Sequence, residues 1–147
     1  MIAVDTNILI YAENPEDGGE RHRSASALLT QMAFYDAIIP VQVLGEFVNV
    51  CRKKKITTPA LAAIKEIDFA RIFETPQTQS DDIASAAVLA DRRELQFFDA
   101  LIITVASRAG ATVLLSEDMQ DRQQFEGLRV LNPFNPANQA EIEALLA

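Results

Sequence analysis

At 147 residues, 49% of them hydrophobic, the chain has the size of one domain with one ordinary core, which excludes a repeat array or a multidomain machine. Thirteen Lys and Arg against 21 Asp and Glu leave a net charge of −8, so any contact with nucleic acid must be local rather than carried by bulk charge. With Cys51 and His22 the only residues of their kinds, an internal disulfide, a Cys-rich zinc site and the usual histidine-rich metal sites are excluded; a metal here would be held by carboxylates.

The chain opens on Ile2, Ala3 and Val4, a short apolar run that stops at Asp5 and predicts a buried strand. The apolar stretch containing it carries Asp5 and has neither a basic leader nor a cleavage pattern, so the expected location is cytoplasmic. Glu13, Asn14, Pro15, Glu16, Asp17, Gly18 and Gly19 form a turn-rich patch. Ala25, Leu28, Leu29 and Met32 then recur at helical spacing within residues 21–35.

Ala37, Ile38 and Ile39 predict a second strand ended by Pro40, and Val43, Leu44, Phe47, Val48 and Cys51 mark one face of the following helix. Thr57 or Thr58 before Pro59 starts another helix, carried by Leu61, Ile64 and Ile67 to about Phe69. A further strand is expected over residues 71–74. Ser80, Asp81 and Asp82 start an alanine-rich helix whose early acids suit the helix dipole. A helix from about Asp99 to Arg108 stops at Gly110. Residues 112–115 read as the clearest strand, 128–131 as the last, and a short C-terminal helix follows Pro136.

Strands alternating with helices at this spacing predict an α/β fold. The expectation is a single domain with a mostly parallel central sheet of about four or five strands, flanked by helices on both faces. No apolar run reaches the roughly 20 residues of a membrane helix, because Glu46, Asp99 and Arg108 interrupt them. Ligands of such sheets bind outside the C-terminal strand ends, so the residues just after each strand carry most information.

Four acids stand at or near such positions, each with a second account. Asp5, with Thr6 and Asn7, could cap the segment beginning at Ile8. Asp99 could cap its helix, but that helix is apolar nearly all round, hence buried, and a buried acid needs a partner. Glu46 belongs to a polar stripe with Gln42, Asn49 and Lys53 that by position alone reads more readily as a plain solvated face. Asp118 follows a strand beside Glu117 and could cap a short helix or stand in a loop. If the four converge, each pair at about 5 Å and an effective dielectric near 20 costs roughly 3 kcal/mol. An oxygen-only cluster of that kind suits Mg²⁺ or Mn²⁺.

Four segments, in order, resemble the motifs of the PIN-domain nucleases, and among them the VapC-type toxins of toxin–antitoxin pairs. They are Val4, Asp5, Thr6, Asn7, Ile8, Leu9, Ile10; Val43, Leu44, Gly45, Glu46, Phe47; Phe98, Asp99, Ala100, Leu101, Ile102; and Leu114, Leu115, Ser116, Glu117, Asp118. The resemblance implies Asp5, Glu46, Asp99 and Asp118 as catalytic metal ligands, with Thr6, Asn7 and Ser116 as their polar support. It further implies Mg²⁺ or Mn²⁺ as cofactor, RNA as substrate, a homodimer, and a small antitoxin as partner. Glu94, Leu95 and Gln96 depart from the pattern, since relatives often carry a small residue and a hydroxyl there.

Arg52, Lys53, Lys54 and Lys55 form the one dense basic run, either a solvated helix end favoured by the dipole or an RNA contact. Cys51 reads as core and His22 as surface. The function expected is metal-dependent endoribonuclease. The alternatives are aspartyl-phosphate chemistry, which normally uses a late lysine whereas none follows Lys65, and a non-catalytic adaptor of the same fold.

Overall fold

Strand β1 (Ile2–Val4) pairs in parallel with β2 (Ala37–Ile38) on one side and with β3 (Val113–Leu115) on the other. The register sets Ile2 opposite both Ala37 and Val113. In this computed structural model, which describes residues 1–15 and 19–147, β3 also pairs in parallel with β5 (Leu128–Leu131). The antiparallel edge strand β4 (Gln124–Phe125) completes the order β2-β1-β3-β5-β4. Every residue of β1 and β3 is buried, as parallel strands covered on both faces require. The α/β fold with a mostly parallel five-stranded sheet is therefore the expected one.

The covering helices are α1 (Thr6–Glu13), α2 (Glu20–Met32), α3 (Val41–Lys53), α4 (Pro59–Ile72), α5 (Ser80–Arg93) and α6 (Phe97–Arg108), with α7 (Gln139–Leu145) near the C-terminus. Thr58 caps α4 by accepting from the Leu61 N–H, with Pro59 at the first position. Helix α6 lacks a side-chain cap bond, since Gln96 supplies none. Packing holds it instead. Ile102, Ile103 and Ala106 enter the main core, while Ala100, Leu101 and Val105 pack with Ala86 of α5 in a second cluster. A cap is worth about 1 kcal/mol, whereas each buried Leu, Ile or Val contributes about 1.5–3 kcal/mol. Two buried faces also explain why the helix is apolar all round.

Three expectations are corrected. Residues 71–74 do not form a strand: α4 runs through Ile72, and only Glu74 makes a parallel bridge, to Ile38. Buried Phe69 and Phe73 hold this stretch against the core, one turn apart. Leu61, Ile64 and Ile67 are not the inward stripe of α4, being 53%, 54% and 46% exposed; Ala62 and Phe69 face the core. Helix α6 starts two residues before Asp99, at Phe97. The turn-rich patch falls partly on Glu16, Asp17 and Gly18, which lie outside the described residues. Among the described residues no helix is long and apolar enough to cross a membrane.

Candidate active site

The parallel ladder continues one residue beyond the strands. The Asp5 N–H donates to the Leu115 carbonyl at 2.9 Å and the Ser116 N–H to the Leu131 carbonyl at 3.1 Å. These bonds bring Asp5 and Ser116 side by side at the C-terminal ends of β1 and β3. From β1 the chain leads first to β2 on one side and later to β3 on the other, so this is the point where strand order reverses and a crevice opens.

Both oxygens of Asp5 are engaged. Its Oδ1 caps α1 by accepting from the Thr6 N–H at 2.7 Å, and its Oδ2 accepts from Ser116 Oγ at 2.8 Å. Ser116 Oγ in turn accepts from the Met119 N–H at 3.3 Å. Asp5 is 5% exposed and Ser116 fully buried. Burial pushes the Asp5 carboxyl up to about 6 against the pull of the Ser116 and Thr6 hydrogen bonds, with further upward pressure from the charges of Glu46 and Asp99.

Thr6, next along, reaches the second motif: its Oγ1 donates to Glu46 Oε2 at 2.7 Å. The other Glu46 oxygen, Oε1, accepts from Gln42 Nε2 at 2.9 Å. Asn7 reaches the fourth motif, its Nδ2 donating to Asp118 Oδ2 at 2.6 Å. Asp99 is the third residue of α6 rather than its cap. Its carboxyl is raised by burial and then by the charges of Glu46 and Asp118. Asp118 caps no helix; its carboxyl is raised by partial desolvation, Glu117 and Glu46, against a lowering by Lys54. Asp5, Thr6, Asn7, Glu46, Asp99, Ser116 and Asp118 thus share one crevice.

The polar stripe of α3 divides. Gln42 and Glu46 are half-buried over the crevice, while Asn49 and Lys53 are exposed. Arg52, Lys53, Lys54 and Lys55 are all exposed, and of the four only Lys54 acts on the charge of Asp118. Cys51 is buried as expected, and His22 is half-buried with its Nδ1 2.9 Å from the Tyr11 carbonyl oxygen.

Two features escape a reading of the motifs alone. Glu117 is drawn away from its neighbour Asp118: Tyr11 Oη donates to one oxygen at 3.0 Å and Arg21 Nε to the other at 2.9 Å. Arg21 also lies over the rings of Tyr11 and Phe134. This leaves Asp118 as the acid of that pair that faces Asn7. Gln42 is the second, and the spacing of four from Glu46 on one helix was its signal.

The donor set is all oxygen and is strained by like charge, which a divalent cation would relieve; Mg²⁺ and Mn²⁺ fit such residues. Among the described residues, no three acidic, histidine or cysteine side chains are drawn tightly enough together to form a ready-made cage. The oxygens are held by Thr6, Ser116, Asn7 and Gln42 instead.

The PIN domain family model matches residues 2–126, which include all four acids. The chain belongs to the PIN domain family. No curated protein sequence matches significantly. This PIN domain is similar in fold to a chain of a toxin–antitoxin complex from Klebsiella pneumoniae, at 19% identity and TM-score 0.65, over 91% of this chain and 98% of that one. It is also similar to Mycobacterium tuberculosis VapC20, a toxin that cleaves the sarcin–ricin loop, at 24% identity and TM-score 0.63, over 80% and 92% of the two chains. A third likeness is to VapBC2 from Rickettsia felis, bound to a DNA fragment from its promoter, at 20% identity and TM-score 0.64, over 90% and 98%.

Proposed function

We propose that this PIN domain is a Mg²⁺- or Mn²⁺-dependent endoribonuclease, the toxin of a toxin–antitoxin pair. The observation that carries the reading is the convergence of Asp5, Glu46, Asp99 and Asp118 at the C-terminal ends of β1 and β3, where Asp5 is pushed up to about 6 by burial first and by the neighbouring acids as well. Those four residues would hold the ion. The chemistry such an ion supplies is Lewis-acid activation of water and neutralisation of charge at the scissile phosphodiester, so a histidine base is not required.

The remaining residues orient and recognise. Thr6 fixes Glu46, Ser116 fixes Asp5, and Asn7 fixes Asp118 through the bonds described. Lys54, whose charge lowers the Asp118 carboxyl, would receive an RNA phosphate beside the one being cut, with Arg52, Lys53 and Lys55 extending that basic edge. The reading of an antitoxin partner is supported by the toxin–antitoxin assembly among the structural neighbours. The exposed apolar residues Leu61, Ile64, Ile67 and Ile72 on α4 support a protein-covered surface, for which a homodimer is the occupant we favour.

Incubation of the purified protein with mixed RNA, with and without EDTA, tests the reading. Cleavage that depends on added Mg²⁺ or Mn²⁺ is expected, and cleavage that persists in EDTA overturns it. Aspartyl-phosphate chemistry is disfavoured because the last lysine of the chain, Lys65, is engaged with Glu13 at 3.2 Å.

A further inference from the structure

We propose that Gln42 is a positioning residue that ties the helix bearing Glu46 to the start of the helix bearing Asp99, and so sets the separation of the two carboxylates. This inference rests on the reading of the crevice as a divalent-metal site. Gln42 Nε2 donates to Glu46 Oε1 at 2.9 Å on its own helix, α3, and to the Phe98 carbonyl at 3.1 Å on α6. Phe98 immediately precedes Asp99. Helices α3 and α6 otherwise share little packing: α3 packs on α1 and α4, and α6 on α5. One amide group is therefore the direct polar tie between the second and third acidic motifs.

The orientation of that amide is fixed by its partners. Both are acceptors, so the nitrogen must face them and the carbonyl must point away. Gln42 Oε1 is then buried with no hydrogen-bond partner among the described residues. A buried acceptor without a partner weakens the folded state, and an apolar side chain of the same length would avoid it. The chain carries this defect at its candidate site, where its return is a fixed Glu46 and a fixed Phe98 carbonyl. Because Oε1 is shielded, Gln42 acts through Glu46 and Asp99 rather than on the substrate.

Gln42→Met and Gln42→Glu separate this role from a structural one. Methionine keeps the length and removes both the donor and the unpartnered carbonyl. Glutamate keeps the shape but sets a negative charge against two acceptors. The readouts are Mn²⁺ affinity by calorimetry, melting temperature in EDTA, and kcat/KM for RNA cleavage. We expect Gln42→Met to melt in EDTA no lower than wild type yet to bind Mn²⁺ about 10- to 100-fold more weakly. Its kcat/KM should fall in parallel at limiting Mn²⁺ and recover at saturation, and Gln42→Glu should lose at least as much. Unchanged Mn²⁺ affinity in Gln42→Met overturns the proposal, as does a lower melting temperature in EDTA with unchanged affinity of the folded fraction. A wild type that binds no Mn²⁺ sinks the metal-nuclease reading itself, and this inference with it.

Discussion

Thr6 Oγ1 lies 2.7 Å from Glu46 Oε2, joining the residue that follows the first acid to the second acid across 40 positions of sequence. The first motif thereby manages three carboxylates, Asp5 through the helix cap, Glu46 through the adjacent hydroxyl and Asp118 through the Asn7 amide. Thr6→Val keeps the shape and deletes the donor. A hydrogen bond to a charged group is worth about 1.5–3 kcal/mol, and Glu46 retains Gln42, so a melting loss of a few degrees is expected. RNA cleavage should fall at least tenfold, and Thr6→Ser should restore it. Full activity in Thr6→Val would show that Glu46 needs no such restraint.

Asp99 separates a ligand from a helix cap. Because Gln96 and not Asp99 precedes α6, Asp99→Ala removes no cap and should cost less than the roughly 1 kcal/mol of a capping residue. Removing its charge relieves repulsion with Glu46 and Asp118, so Asp99→Asn and Asp99→Ala should melt at or above wild type in EDTA. Excess Mn²⁺ should then stabilise wild type far more than either variant. Equal gains in all three proteins would remove Asp99 from the ligand set.

Asp5 sets a pH dependence of stability. Its folded carboxyl is raised, mainly by burial, from its ordinary value of 3.8 to about 6, so the folded protein holds this proton more tightly than the unfolded chain. Stability of the metal-free protein should therefore fall as pH rises through about 4 to 6, by up to about 3 kcal/mol, and level off above. Asp5→Asn should flatten that part of the curve. Stabilisation by Mn²⁺ should grow over the same window, because the ion competes with the proton. Denaturant titrations at pH 4.5, 5.5 and 7, in EDTA and in Mn²⁺, measure both slopes.

Much of this was legible in the sequence for local reasons. Short apolar runs ended by Asp5, Pro40 and Ser116 disclosed β1, β2 and β3, and Asp5 and Asp118 followed where two of the strands stop. Spacing alone could not choose between two stripes on α4: Leu61, Ile64 and Ile67 fit a helical face as well as Ala62 and Phe69, and the core took the latter. The two residues of β4, one exposed and one buried, are too few to show alternation. The stripe of Gln42, Glu46, Asn49 and Lys53 divides into a half-buried first part and an exposed second part, a difference that spacing on one helix cannot show.

The basic run should likewise divide. If Lys54 contacts a phosphate, Lys54→Gln should reduce the slope of log affinity against log salt by about 0.7 for single-stranded RNA. Lys53→Gln should change it less, and Mn²⁺ affinity should hold in both. Equal effects from the two substitutions would return the run to a diffuse field at a helix end.

The central place of β1 has a consequence during synthesis. Its partner β3 lies more than a hundred residues downstream, so a nascent chain that has not yet reached Val113 carries an open edge beside Ile2 and has no Ser116 to meet Asp5. Three of the four acids are made before β3, yet the crevice closes only when the last quarter of the chain docks, an arrangement of high sequence separation that forms late. Chains interrupted between residues 99 and 113 would contain Asp5, Glu46 and Asp99 without a working arrangement of them.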